Sequence, residues 1–80
     1  MLTGELDDWT PAVSCVDLGA QSRGERHPIA VTVYPDAHHA FDFRGPRIMN
    51  QWGKTLEHNA PATADAERRV DAFIRRLSAP

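Results

Sequence analysis

VTVYPDAHHAFDF, residues 31–43, runs from an alternating apolar strand into the paired histidines His38 and His39 and then an aromatic-acid-aromatic triplet. With the two residues before it, the strand reads IAVTVYP, rich in β-branched side chains and ended by proline. Ile29, Val31 and Val33 share one face and Ala30, Thr32 and Tyr34 the other. Both faces are mostly apolar, which is the pattern of a parallel strand covered by helices on each side. A histidine pair at the end of such a strand fits a catalytic site, a metal site or a polar turn, so the rest of the chain has to choose.

Upstream, MLTGELDDW reads as the end of a strand running into an acidic loop. Thr10 and Pro11 then suit an N-cap and first helical position, because proline lacks only an N–H that has no partner there. The spacing of Val13, Val16 and Ala20 predicts a helix over 11–22, stopped by the glycine, charges and proline of RGERHP. Downstream, residues 37–61 show no period and read as one long loop, a candidate for shaping a pocket. The last segment, ATADAERRVDAFIRRLS, is a strongly periodic helix. Ala66, Val70, Phe73, Ile74 and Leu77 form its apolar face, and Asp65 with Arg69 and Asp71 with Arg75 form i, i+4 pairs expected on the opposite one.

The order is strand, helix, strand, long loop, helix. This predicts an α/β fold: a β-α-β-α unit whose right-handed crossover lays the two strands side by side in a short parallel sheet. The 80 residues make one small domain, and a chain of this size buries only about 60–65% of the surface that its unfolded form exposes. Two strands are a poor sheet, so completion by a second copy, as a homodimer, is expected. A net charge of −2 argues against nucleic acid or an anionic membrane as partner. No apolar run approaches the roughly 20 residues that span a bilayer. The single cysteine, Cys15, fits a reducing compartment, and the cytoplasm is the expected location.

Successive parallel strands deliver their loops to one edge of the sheet, where open α/β folds place their sites. Asp7, past the first strand, and His39, past the second, are such a pair. A carboxylate that holds one imidazole nitrogen sets the tautomer and steadies the imidazolium, which is the acid-histidine part of a hydrolytic triad. Read without that pairing, Asp7 is a loop or helix-capping carboxylate and His39 a solvated turn residue. In α/β-hydrolases the chain order is nucleophile, acid, histidine, and Asp7 before His39 agrees with it.

Three segments together resemble the C-terminal part of the dienelactone hydrolase family, within the α/β-hydrolase superfamily. TGELDDWTP is similar to the glycine-x-x-aspartate segment at the triad acid, VYPDAHHAFD to the tyrosine-proline strand end followed by histidine-x-phenylalanine, and NAPATADAERRVDAFIRRL to the closing helix. The resemblance covers essentially the whole chain. It implies an ester or lactone hydrolase fold in which Gly4 and Asp7 fill the glycine and triad acid and His39 fills the triad histidine, with Asp8 and His38 as neighbours.

Two departures qualify it. Some family members carry an arginine four residues after the histidine to hold a substrate carboxylate. Phe43 stands there in this chain, with Arg44 one further on. The family's nucleophile sits on a glycine-x-nucleophile-x-glycine elbow, and with glycines at 4, 19, 24, 45 and 53, no two are four apart. The expectation is a fragment that retains acid and histidine but lacks the nucleophile and is inactive alone, its partners a second copy or an N-terminal half. The alternatives are a weak or complemented hydrolase and a non-catalytic interaction module.

Other readings are weaker on chemistry. His38, His39 and His58 with Asp36 or Asp42 lack HxH or HxxxH spacing, so no metal and no other cofactor is expected. Cys15, on a helix, reads as a small packed hydrophobe. Trp9, Phe41, Phe43 and Trp52 line a pocket or cover core. Arg68, Arg69, Arg75 and Arg76, balanced by Asp65, Glu67 and Asp71, form a solvated helix face.

Overall fold

The computed structural model describes residues 1–78. Strand β1 is Leu2–Gly4, helix α1 Ala12–Gln21, strand β2 Thr32–Tyr34, strand β3 Ile48–Met49, strand β4 Thr55–Leu56 and helix α2 Ala60–Ser78. β1 and β2 are parallel, with Leu2 beside Thr32, Thr3 beside Val33 and Gly4 beside Tyr34, and β3 and β4 form a separate antiparallel pair. The α/β class and the β-α-β crossover are as the sequence leads one to expect.

β2 is shorter than the apolar run from Ile29. The physical reason is its partner: β1 offers only three residues, so only those opposite it enter the ladder. Ala30 is still held, by the N-terminal ammonium on its carbonyl at 2.7 Å. Helices lie on both faces. Against the odd-numbered face, α1 approaches so closely that a Cβ on Gly19 would stand 2.8 Å from the Val31 side chain. Ser22 seals the connection by donating from Oγ to the Gly19 carbonyl and accepting the Ile29 N–H, each at 2.8 Å. Against the even-numbered face lies α2, where the Tyr34 hydroxyl donates to Asp65 at 2.7 Å.

The core is small: Tyr34, Ala37 and Ala62 are buried, and Leu2, Phe41 and Ala66 pack against them. α2 starts at a capped end, with Asn59 Oδ1 accepting the Ala62 N–H at 3.0 Å, as an N-cap asparagine does. Of its residues only Ala62 and Thr63 are buried. Val70, Phe73, Ile74 and Leu77, expected as a covered stripe, are exposed, because the three-residue strands end before the helix does. Ion pairs run along the helix, Asp65–Arg69 at 2.6 Å and Asp71–Arg75 at 2.8 Å. Asp65 does not lie on the far face. It sits half-buried over Tyr34, and its bonds to Arg69 and to the Tyr34 hydroxyl hold its carboxyl at about 2.

The segment 37–61 is not one structureless loop. After a parallel bridge between His39 and Leu56, it folds back as the β3–β4 hairpin. With two-residue strands and a turn closed by Asn50 rather than by a repeated apolar pattern, the hairpin carries too few residues to show a period.

One glycine sets the closest backbone approach at the site end of the sheet. A Cβ on Gly4 would stand 2.3 Å from the Ala37 carbonyl oxygen, a backbone atom that cannot swing away. Gly4→Ala is therefore expected to lower the unfolding free energy by about 1–3 kcal/mol, as overpacking does, measured by urea denaturation. An unchanged midpoint would contradict this account of the contact.

Candidate functional site

Beyond Gly4 and Tyr34 the two chains stay joined as they leave the sheet. Glu5 donates its N–H to the Tyr34 carbonyl and Leu6 to the Ala37 carbonyl, each at 2.9 Å. This carries the loop after β1 alongside the loop after β2 and puts the side chains of Asp7 and His39 in reach of each other. Asp7 Oδ2 lies 3.0 Å from His39 Nδ1. The carboxylate is 7% exposed and the imidazole 29%, so one group is sheltered and the other can be reached. Ala40, just after the histidine, has φ of 55°, a left-handed conformation that a non-glycine residue holds only at a cost.

Asp7 also organises its own loop. Its Oδ1 accepts the N–H of Trp9 at 2.9 Å and of Thr10 at 2.7 Å, and its Oδ2 accepts the Thr10 hydroxyl at 2.8 Å. Burial pushes the Asp7 carboxyl up. The Thr10 N–H, the Thr10 hydroxyl, the Trp9 N–H and His39 together outweigh it, so the group titrates below the ordinary aspartate range. At neutral pH it is an anion with acceptor oxygens only.

These bonds assign the histidine tautomer. Thr10 Oγ1 also lies 3.3 Å from His39 Nδ1, and its one hydrogen is spent on Asp7, so toward Nδ1 it too can only accept. Nδ1 faces two acceptors and therefore carries the proton. In the neutral ring Nε2 then keeps the lone pair that a base requires. Thr10 is thus not the helix N-cap that its place before Pro11 suggests. Pro11 occupies that position without a side-chain cap, and the threonine hydroxyl serves the acid-histidine pair instead.

The neighbours divide the remaining work. Asp8 accepts the Thr55 N–H at 3.1 Å on Oδ1, fastening β4 to the acid loop. His38 turns its Nε2 toward Glu57 at 3.4 Å, and Glu57 also faces Arg47 at 3.7 Å. His58 Nδ1 meets the Phe41 carbonyl at 2.9 Å. The three histidines weighed as a metal cluster therefore take separate partners, and no group of three metal-ligating side chains occurs among the described residues.

A cleft of about 430 Å³ is lined by Leu2, Thr3 and Gly4 of β1, by Ala66 and Val70 of α2, and by both Asp7 and His39. Cys15 of α1 is half-buried and lines the same cleft. No family model, no curated protein and no solved structure matches the chain. The site stands on its geometry. Among the described residues, no helix is long and apolar enough to cross a membrane.

Sequence reasoning names the two residues that meet and misses those that hold them. Thr10 is masked by the proline after it, which imitates a helix start. Asp8 and Thr55 are joined across a hairpin that leaves no pattern in the sequence. Trp9, whose ring lies 4.8 Å from that of His39, carries a signal that could have been used, since it stands two residues after the acid.

Because the folded chain holds the Asp7 carboxyl lower than the unfolded one does, its contribution to stability is fully present above the unfolded value, roughly 4. It is lost as pH falls through the folded value. Asp7→Asn is expected to flatten this acid limb of the unfolding free energy, and Thr10→Val to move the Asp7 titration upward when followed by carboxyl NMR. Identical acid limbs in wild type and Asp7→Asn would contradict the assignment.

Proposed function

We propose that the chain supplies the acid and base of an ester or lactone hydrolase of the dienelactone hydrolase type, acting on a nucleophile that another chain or segment delivers, and that alone it is inactive. The observation that supports this reading is the Asp7–His39 hydrogen bond, together with the two acceptors at Nδ1 that leave Nε2 as the open base. When a hydroxyl or thiol is placed at Nε2, its proton passes to the imidazole as its oxygen or sulfur bonds to the ester carbonyl carbon. The imidazolium, steadied by Asp7, then gives that proton to the departing alkoxide as the ester C–O bond breaks. Water repeats the sequence on the acyl intermediate and returns the free nucleophile.

The proposal predicts that the chain alone hydrolyses p-nitrophenyl acetate no faster than its His39→Ala variant. Mixed with a separately produced segment carrying a glycine-x-serine-x-glycine elbow and its strand, it gains activity. Asp7→Asn then reduces that activity by a factor on the order of 10³–10⁴. A mixture no more active than the elbow segment alone would overturn the reading. So would hydrolysis by the isolated chain that Cys15→Ser abolishes, which would make the thiol in the cleft the nucleophile.

We also propose that the chain by itself is a homodimer in the cytoplasm. A two-stranded sheet has two open edges and is marginal in isolation, and Val13 and Val16 of α1 with Phe73, Ile74 and Leu77 of α2 lie exposed beside it. Light scattering is expected to give twice the chain mass at micromolar concentration, falling toward the 1:1 complex when the elbow segment is added. A well-folded monomer at high concentration would contradict the dimer.

A further inference from the structure

The hydrolytic reading leaves two tryptophans unused, and they are not placed at random. Trp9 belongs to the acid loop: its N–H is bonded to Asp7 Oδ1, and its ring lies 4.8 Å from the His39 imidazole at an interplanar angle of 45°. Trp52 comes from the far end of the β3–β4 hairpin, and its ring lies 5.6 Å from that of Trp9 at 42°. Its turn is fixed. Asn50 Oδ1 accepts the N–H groups of Trp52 at 2.9 Å and of Lys54 at 3.0 Å, and Gly53, with φ of 74°, closes the loop. The bond from the Thr55 N–H to the Asp8 carboxylate then fastens the hairpin to the acid loop, so Trp52 is delivered to Trp9 by the side chains of Asn50 and Asp8. Both rings keep much of their surface open, 43% for Trp9 and 62% for Trp52.

Charge at this end of the sheet adds a second constraint. The cleft that His39 lines is also lined by two carboxylates, Asp7 and Asp42, and, among the described residues, by no lysine or arginine. The arginines that follow the histidine are engaged elsewhere, Arg44 with Glu67 at 3.0 Å and Arg47 with Glu57. Inside the cleft a substrate carboxylate would meet like charge and no partner cation, whereas Leu2, Phe41 and Val70 are apolar parts of its lining. The tryptophans stand outside that lining, next to it through the contact of Trp9 with His39, and the one cation on their turn is Lys54.

From the ring geometry and the charge together, we infer that the site takes an uncharged ester with a planar apolar substituent, seated against Trp9 and Trp52, rather than a carboxylated lactone. This rests on the hydrolytic reading for its chemistry but on binding alone for its test. Planar groups offset or tilted against indole rings at these separations gain attraction beyond simple burial, and the two tryptophans keep exposed surface for it.

The experiment is an NMR titration of the 15N-labelled full chain, following the indole N–H signals of Trp9 and Trp52. The probes are acetophenone, an uncharged ketone shaped like an aryl ester, and benzoate, its anionic counterpart. Acetophenone is expected to shift both indole signals with millimolar saturation, benzoate to bind at least about fivefold more weakly, and Trp52→Ala to weaken acetophenone roughly three- to tenfold. Trp52 is exposed on a turn, so its removal does not threaten the core, and Glu25→Gln, at an exposed position after α1, is expected to change nothing. Equal or tighter binding of benzoate, acetophenone shifts centred away from both indoles, or an unchanged affinity in Trp52→Ala would each overturn the inference. Selective acetophenone binding in a chain that no elbow segment activates would uphold the aromatic site and reject only the hydrolytic reading. Activity that treats charged and uncharged esters alike would do the reverse.

Discussion

Gly4 has no side chain, and the approach of the Ala37 carbonyl to it is what joins the two halves of the site. The strands themselves are only three residues long. The pairing continues past them because the Ala37 carbonyl can turn over Gly4 and accept the Leu6 N–H. That contact runs the two loops side by side where they leave the sheet, and the meeting of Asp7 and His39 follows from it. The site hangs on this backbone junction rather than on a large core, since only three apolar residues are buried among the described residues.

A site built on so little packing needs other fastenings, and they are polar. Asp7 holds three donors of its own loop besides His39, Asp8 ties that loop to β4, and the Asn59 N–H donates to the Phe41 carbonyl at 2.9 Å, anchoring the loop after the histidine to the start of α2. Such bonds add roughly 0.5–1.5 kcal/mol each when both partners were hydrated beforehand, and somewhat more when one is charged. Their gain is geometric as much as energetic. They hold the imidazole in one tautomer, with one nitrogen engaged and the other free. The left-handed Ala40 is kept in place by the same restraints, with the Phe43 N–H on its carbonyl at 2.9 Å.

The contrast between the two ends of α2 makes the same point. Its first turns are capped by Asn59, carry the buried Ala62 and Thr63 and cover Tyr34. Its last turns extend past the sheet with Phe73, Ile74 and Leu77 in the open. An amphipathic stripe in a sequence says that a helix has a side to bury, and says nothing of how much surface lies opposite it. The sheet here is long enough to cover the beginning of that stripe only.

The α/β order, the two principal helices, the parallel pairing and the identity of the acid and the histidine could be read from residues 1–78 without coordinates. The elements rest on local patterns, β-branched alternation at 29–34 and a 3.6-residue period in the closing helix, whereas the choice of Asp7 over Asp8 and of His39 over His38 rests on the resemblance to dienelactone hydrolases. What only the tertiary structure decided is everything that depends on residues distant in the chain. The hairpin was invisible because two-residue strands have no period. Thr10 before Pro11 has the pattern of a helix cap, whereas in the fold the carboxylate of Asp7 takes its hydroxyl. The pairing of Trp9 with Trp52 depends on where Asp8 holds Thr55. Local propensity determines which elements form, and a one-dimensional pattern carries no term for which polar groups will find one another across space.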